Sequence, residues 1–107
     1  DRDKTQHFFN EVLHENGQAP YFAEPWVCDK IVDLHLKSPS MLCILPLQDW
    51  LSLNGEIRRE NPAEELINNP AITPHYWRYR MHLSIEDLLG NKEFNNYLHD
   101  KIKESGR

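Results

Sequence analysis

Five consecutive apolar residues, Met41 to Leu45, closed by Pro46, constrain this chain more than any other feature. A continuous apolar run of that length ended by a breaker reads as a β-strand buried on both faces, because a half-exposed strand would alternate. Pro46 has no N–H to give to a sheet ladder, so the strand is expected to end there. The backbone of such a strand must pair with neighbours, and a parallel strand cannot be satisfied alone. Yet the 107 residues offer no second run of this quality. Either another strand hides near Trp77, or the chain is a piece of something larger. Its start favours the second option. Asp1 to Lys4 lead straight into a helical pattern, with no initiator methionine and no leader.

Helical spacing surrounds the run. From Asp3 to about Glu15, Phe8, Phe9, Val12 and Leu13 form an apolar stripe, capped by Asp3 or Thr5 and ended at Asn16-Gly17. A second helix is expected from Glu24-Pro25 to Lys37. Proline suits its first turn, and Trp26, Val27, Ile31, Val32 and Leu34 give it a broad apolar face. Helix, short turn and buried strand together make the αβ half of a βαβ unit. Beyond Pro46, Leu47 to Leu53 reads as a short helical turn. Glu56 to Pro74 is a polar stretch with three prolines, in which Arg58, Arg59, Glu60, Glu64 and Glu65 form at most one exposed turn. His75 to Met81 alternates. If extended, it places Tyr76, Arg78 and Arg80 on one face and Trp77, Tyr79 and Met81 on the other. Ser84 to Asp87 is a capping-box start, and a last helix spans about Lys92 to Ser105 with Phe94, Leu98, Lys101 and Ile102 sharing a face.

Charge narrows the partners. With 17 acidic against 12 basic residues the formal net charge is −5, which argues against non-specific nucleic-acid binding and against an anionic membrane surface. No apolar run approaches the roughly 20 residues of a membrane span. Cys28 and Cys43 fall in elements predicted to be buried and lack CxxC spacing, the pattern of a reduced, cytoplasmic chain. The six histidines match no metal-ligand spacing, and nothing calls for a cofactor. Gln48 and Asp49 sit just past the strand's C-terminal end, where α/β folds bind ligands. Asp49 is the only acid so placed and has no second carboxylate to work with, as a glycosidase-like pair would require. The stretch Tyr76 to Arg80 suits stacking on bases or sugar rings, although a structural strand whose arginines pair with loop glutamates is the simpler reading.

In order along the chain stand Ser40-Met-Leu-Cys-Ile-Leu-Pro-Leu-Gln-Asp-Trp-Leu, Gly55-Glu-Ile-Arg-Arg-Glu-Asn-Pro, Ile67-Asn-Asn-Pro-Ala and His75-Tyr-Trp-Arg-Tyr-Arg-Met. This ordered set resembles the C-terminal end of glycoside hydrolase family 77, the 4-α-glucanotransferases or amylomaltases. The long spacer between Arg59 and Asn68 is similar to that of the plant-cytosolic-like branch. The resemblance implies that residues 1–107 are a single segment, the C-terminal part of a (β/α)8 TIM barrel. It would be mostly helical, with one buried strand at about 41–46 and a short extended segment at 76–81. A whole barrel takes about 250 residues. The implied chemistry is retaining transfer of α-1,4-glucan, with an Asp nucleophile, a Glu acid/base and a second Asp within a His-Asp motif. All three are expected ahead of Asp1, so no catalytic residue is assigned here and the chain alone is expected to be inactive.

By the same resemblance, Asn68 and Pro70 match an Asn-x-Pro loop bordering the sugar cleft, where an amide can both donate to and accept from hydroxyls. Gln48 and Asp49 match a Pro-Leu-Gln-Asp motif at the barrel mouth and hold its geometry. Trp77, Arg78 and Arg80 match a structural Trp-Arg-x-Arg, and Leu66 stands where a basic residue is expected. The expected partner is an α-glucan or malto-oligosaccharide, bound through the parent enzyme, with no metal and no cofactor. The isolated piece should self-associate through its bare strand edges. Two rivals remain: an independent helical interaction module, and a glucan-binding module that would need Trp77 exposed.

Overall fold

The computed structural model describes residues 1–107. Helix α1 spans Arg2–His7 and runs on as a π-helical turn, Phe8–Val12. Asp1, rather than Asp3 or Thr5, caps its start by accepting from the Asp3 and Lys4 amides. In the wider π turn Leu13 N donates to Phe8 O. Phe9 and Leu13 therefore point inward, while Phe8 and Val12 stay exposed. The helical segment ends at Leu13, short of the expected Glu15, and His14 at φ +55° rather than Gly17 takes the left-handed position just past it; Gly17, at φ +90°, turns the chain further on. Gln6 then ties down the returning loop, giving Nε2–H to Gly17 O and accepting from Ala19 N.

Helix α2, Pro25–Leu36, is the shared spine of two small cores. One row, Val27 and Ile31, packs with Phe9, Leu13 and Ala19. The neighbouring row, Cys28, Val32 and Leu36, packs with Leu51, Leu53 and Phe94. The i, i+4 spacing from Val32 selects Leu36, so Leu34, expected inside, is left facing out. Trp26 is partly exposed and sets its ring edge-on to Phe9 at 5.9 Å.

Pro46 opens the short α3, Leu47–Leu51. A 3₁₀ turn, Pro62–Glu65, follows in the polar stretch. Ser84 and Asp87 form the expected reciprocal capping box on α4, Ile85–Gly90. Asn91 caps α5, Lys92–Glu104, by accepting from Phe94 N. Lys101 of α5 has only 8% of its side chain exposed and binds Asp29 at 2.6 Å and Asp33 at 2.5 Å across to α2, where the Tyr97 hydroxyl also donates to Asp29. Past α5, Arg107 reaches the turn after α2. Its Nε donates to Leu36 O at 2.7 Å, and its Nη groups donate to Ser38 O, Ser40 O and Met41 O. No helix is long and apolar enough to cross a membrane.

The buried strand predicted at 41–46 does not form, and the chain contains no strand at all. Met41, Leu42 and Ile44 are 91%, 74% and 86% exposed. Cys43 and Leu45, by contrast, pack against the second core. The reason is pairing. No backbone N–H or C=O of Leu42 to Leu45 takes part in a backbone hydrogen bond, because the 107 residues supply no neighbouring strand. The segment at 76–81 is not a strand either. Arg78 N donates to Tyr76 O at 2.8 Å, folding a tight turn about Trp77. Beyond that turn the expected alternation holds, with Tyr79 and Met81 half-buried and Arg78 and Arg80 exposed.

Candidate functional site

The loop after α3 folds back over that helix through one carboxylate. Glu65, half-buried at the end of the 3₁₀ turn, accepts from Gln48 Nε2 at 2.8 Å, from Arg59 Nε at 3.1 Å and from the Tyr79 hydroxyl at 2.7 Å. Gln48 also donates to the Glu65 carbonyl at 2.7 Å. Arg59 spreads its fork further, to Glu64 at 3.2 Å and to the Arg80 carbonyl at 2.7 Å. A planar guanidinium with five donors can bridge three chain segments in this way, as an ammonium cannot. Thus α3, the polar stretch and the Tyr76–Arg80 segment meet at Glu65.

Electrostatics gives the cluster its character. Burial pushes the Glu65 carboxyl up, but hydrogen bonds from Tyr79, Gln48 and Arg59 outweigh it and hold the group below the usual glutamate range. Burial and then the Glu65 carboxylate raise the Tyr79 phenol, so it remains a donor. A general acid in glycoside chemistry needs the opposite, a carboxyl raised towards neutrality. Glu65 thus anchors the loop as a carboxylate held by three donors.

Of the predicted site residues Gln48, Asp49, Asn68 and Pro70, Gln48 alone joins this cluster. Asp49, one residue on, is exposed, and its carboxylate has no partner within the chain. Only its backbone is engaged: the amide donates to Pro46 O at 3.0 Å and the carbonyl accepts from Ser52 Oγ. Asn68 and Pro70 lie exposed in the loop after the 3₁₀ turn, and the Asn68 amide makes no intrachain hydrogen bond. Its neighbour Asn69 instead closes a local turn by accepting from Ala71 N at 3.1 Å. Leu66 is exposed between the two features. Trp77 is 68% exposed, with His75 edge-on at 5.2 Å, and Arg78 lies over the Tyr76 ring at 4.9 Å. The arginines of that segment do not pair with loop glutamates; Arg59 of the loop does.

Sequence reasoning missed Glu65, Arg59 and Tyr79 as a unit. The one available signal was the alternation that turns Tyr79 inward with Met81. It placed the phenol correctly but named no partner.

This arrangement sits within the stretch that has relatives. Residues 1–85 match the model of glycoside hydrolase family 77, described as 4-alpha-glucanotransferase, and the chain belongs to that family. It is 34% identical over 107 residues to 4-alpha-glucanotransferase DPE2 of Oryza sativa subsp. japonica, a match covering 100% of this chain and 11% of the rice protein. It is 32% identical over 91 residues to a 4-alpha-glucanotransferase of Chlamydia pneumoniae, covering 84% of this chain and 17% of that protein. The chain thus spans less than a fifth of either relative's length. No solved structure matches it. A His-Asp dipeptide does occur, at His99-Asp100. It lies on α5 beyond the matched residues, with side chains 73% and 71% exposed.

Proposed function

We propose that these residues form the last part of the catalytic (β/α)8 barrel of a cytoplasmic 4-α-glucanotransferase. Such an enzyme moves α-1,4-glucan segments between malto-oligosaccharides and larger glucans such as starch or glycogen. Its retaining mechanism forms a glycosyl-enzyme on an Asp nucleophile, and a Glu carries the proton to and from the glycosidic oxygen. On this reading all the catalytic carboxylates lie outside the 107 residues. This chain contributes the rim: Asn68 and Pro70 border the sugar cleft, and Gln48 and Asp49 shape the barrel mouth.

The observation that carries the reading is the unpaired stretch Leu42–Leu45, with its backbone groups free and its side chains alternately packed and bare. That is what a barrel strand looks like when its two flanking strands belong to another part of the chain. The free amide of Asn68 and the free carboxylate of Asp49 add polar groups able to meet hydroxyls.

Glucose release from maltose with glycogen as acceptor tests this directly. The full-length protein should turn over, and residues 1–107 alone should not. Turnover by the 107 residues, abolished by Asp49→Asn, would place the catalytic groups here and overturn the reading. So would a full-length protein without transfer activity.

A further inference from the structure

The loop that carries Asn68 has no core of its own. From Asn61 to Pro74 no residue is buried, and Leu66 and Ile67 are 57% and 48% exposed. Hydrogen bonds rather than packing set its course, and they fall on either side of Asn68. On the N-terminal side, Glu65 is held through its carboxylate by Gln48, Arg59 and Tyr79, and through its carbonyl by Gln48 again. Two residues on, Ile67 O accepts from His75 Nε2 at 3.1 Å. On the C-terminal side, Asn69 O accepts from Ile72 N at 3.2 Å while the Asn69 side chain accepts from Ala71 N. Asn68 itself donates and accepts nothing, by main chain or by side chain. Its amide is left free on a backbone pinned before and after it.

A side chain that meets a ligand from a loose loop must first order that loop, and the entropy lost is subtracted from binding. A braced backbone takes that loss during folding instead. The brace converges on Glu65. Gln48 comes from α3, Arg59 from the start of the polar stretch and Tyr79 from the segment beyond it, and none of these three donors hydrogen-bonds another. We propose that Glu65 is a positioning residue: it sets the place of the Asn68 amide at the rim of the cleft and acts on glucan transfer only through that amide. The role rests on the reading of Asn68 as a cleft residue; the brace itself does not. Glu65→Gln probes it with little change of size, because one carboxylate oxygen gives way to an –NH2 that faces at least one of the donors.

Steady-state transfer kinetics of the full-length protein, with maltose as donor and glycogen as acceptor, test this through a double-mutant cycle. Asn68→Ala should lower kcat/KM about tenfold, the scale of one lost hydrogen-bonding group. Glu65→Gln should lower it about fivefold, since the Asn68 amide is displaced but not removed. In the Asn68→Ala background, however, Glu65→Gln should cost less than about twofold more, because the group it positions is already gone. Tyr79→Phe removes one donor of the three and should lower kcat/KM about threefold, with the same dependence on Asn68. It carries the test should Glu65→Gln fail to fold. A Glu65→Gln effect that persists in full in the Asn68→Ala background overturns the positioning role, because Glu65 would then act on the barrel as a whole. So does a lowered melting temperature with kcat/KM unchanged, while Asn68→Ala keeps its cost. Asn68→Ala without effect, in a protein that transfers glucan, removes Asn68 from the cleft and the role of Glu65 with it. A full-length protein without transfer activity overturns the glucanotransferase reading itself.

Discussion

Lys101 is the residue on which the C-terminal helix depends. Helical spacing placed it on the apolar face of α5, where a cation has to be paired. Its partners, Asp29 and Asp33, are one turn apart on α2, and no local pattern in the sequence links them to it. Lys101→Met removes the cation and leaves two carboxylates side by side. Because the acids are partly exposed, the expected loss is about 1–2 kcal/mol, less than for a fully buried pair, and urea denaturation would measure it. Burial lowers the Lys101 pKa, but hydrogen bonds to both acids outweigh it and raise the group above 10.5. Burial and Asp29 push the Tyr97 phenol up to about 12. A group whose pKa is higher in the folded state stabilises fully below its unfolded value and loses that contribution as pH rises through the folded one. The α2–α5 contact should therefore hold at neutral pH and weaken from about pH 10 upward, and circular dichroism melts across that range would follow it. Glu65 has the opposite sign. Its pKa is lowered, so its contribution is present above the ordinary glutamate value and is lost as pH falls through the folded value.

At the scale of elements, what the sequence revealed followed from whether the information was local. Caps, breakers and 3.6-residue spacing act within a few residues. Accordingly, α2, the capping box of α4, the short α3 after Pro46 and the extent of α5 are where the pattern puts them. The π turn in α1 was not legible, since nothing in Phe8-Phe9-Asn10 announces a wider turn. The strand was legible as a tendency and not as an element, because a strand exists only with a partner. The Glu65 cluster was hidden for a similar reason: its members, Gln48, Arg59, Glu65 and Tyr79, are scattered along the sequence and converge only after the loop closes. Ile44 allows a sharp test. It is 86% exposed here, so in the isolated 107 residues Ile44→Asp should change stability by no more than about 0.5 kcal/mol. In the full-length protein the same change should bury a charge in a barrel wall at a cost of about 3 kcal/mol or more. Equal, small effects on the urea unfolding of both proteins would remove the strand from the proposal.

The whole molecule is too open for its length. A chain of 12.7 kDa is expected to expose about 6,200 Å² when folded, yet this one exposes 8425 Å². Its radius of gyration is 15.7 Å, against about 13 Å for a folded domain of this length. Nine buried residues, divided between two cores, give little cooperativity. In isolation the 107 residues should sediment as more than a monomer and melt broadly in calorimetry. A monomeric species with one sharp transition would favour an independent helical module instead. The clamp made by Arg107 bears on how such a loosely packed chain can vary over evolutionary time. All four of its acceptors are main-chain carbonyls, those of Leu36, Ser38, Ser40 and Met41. Carbonyls are present whatever side chains accompany them, so the clamp requires an arginine at 107 and almost nothing of the turn it grips. The wording of that turn is free to drift while its shape is inherited.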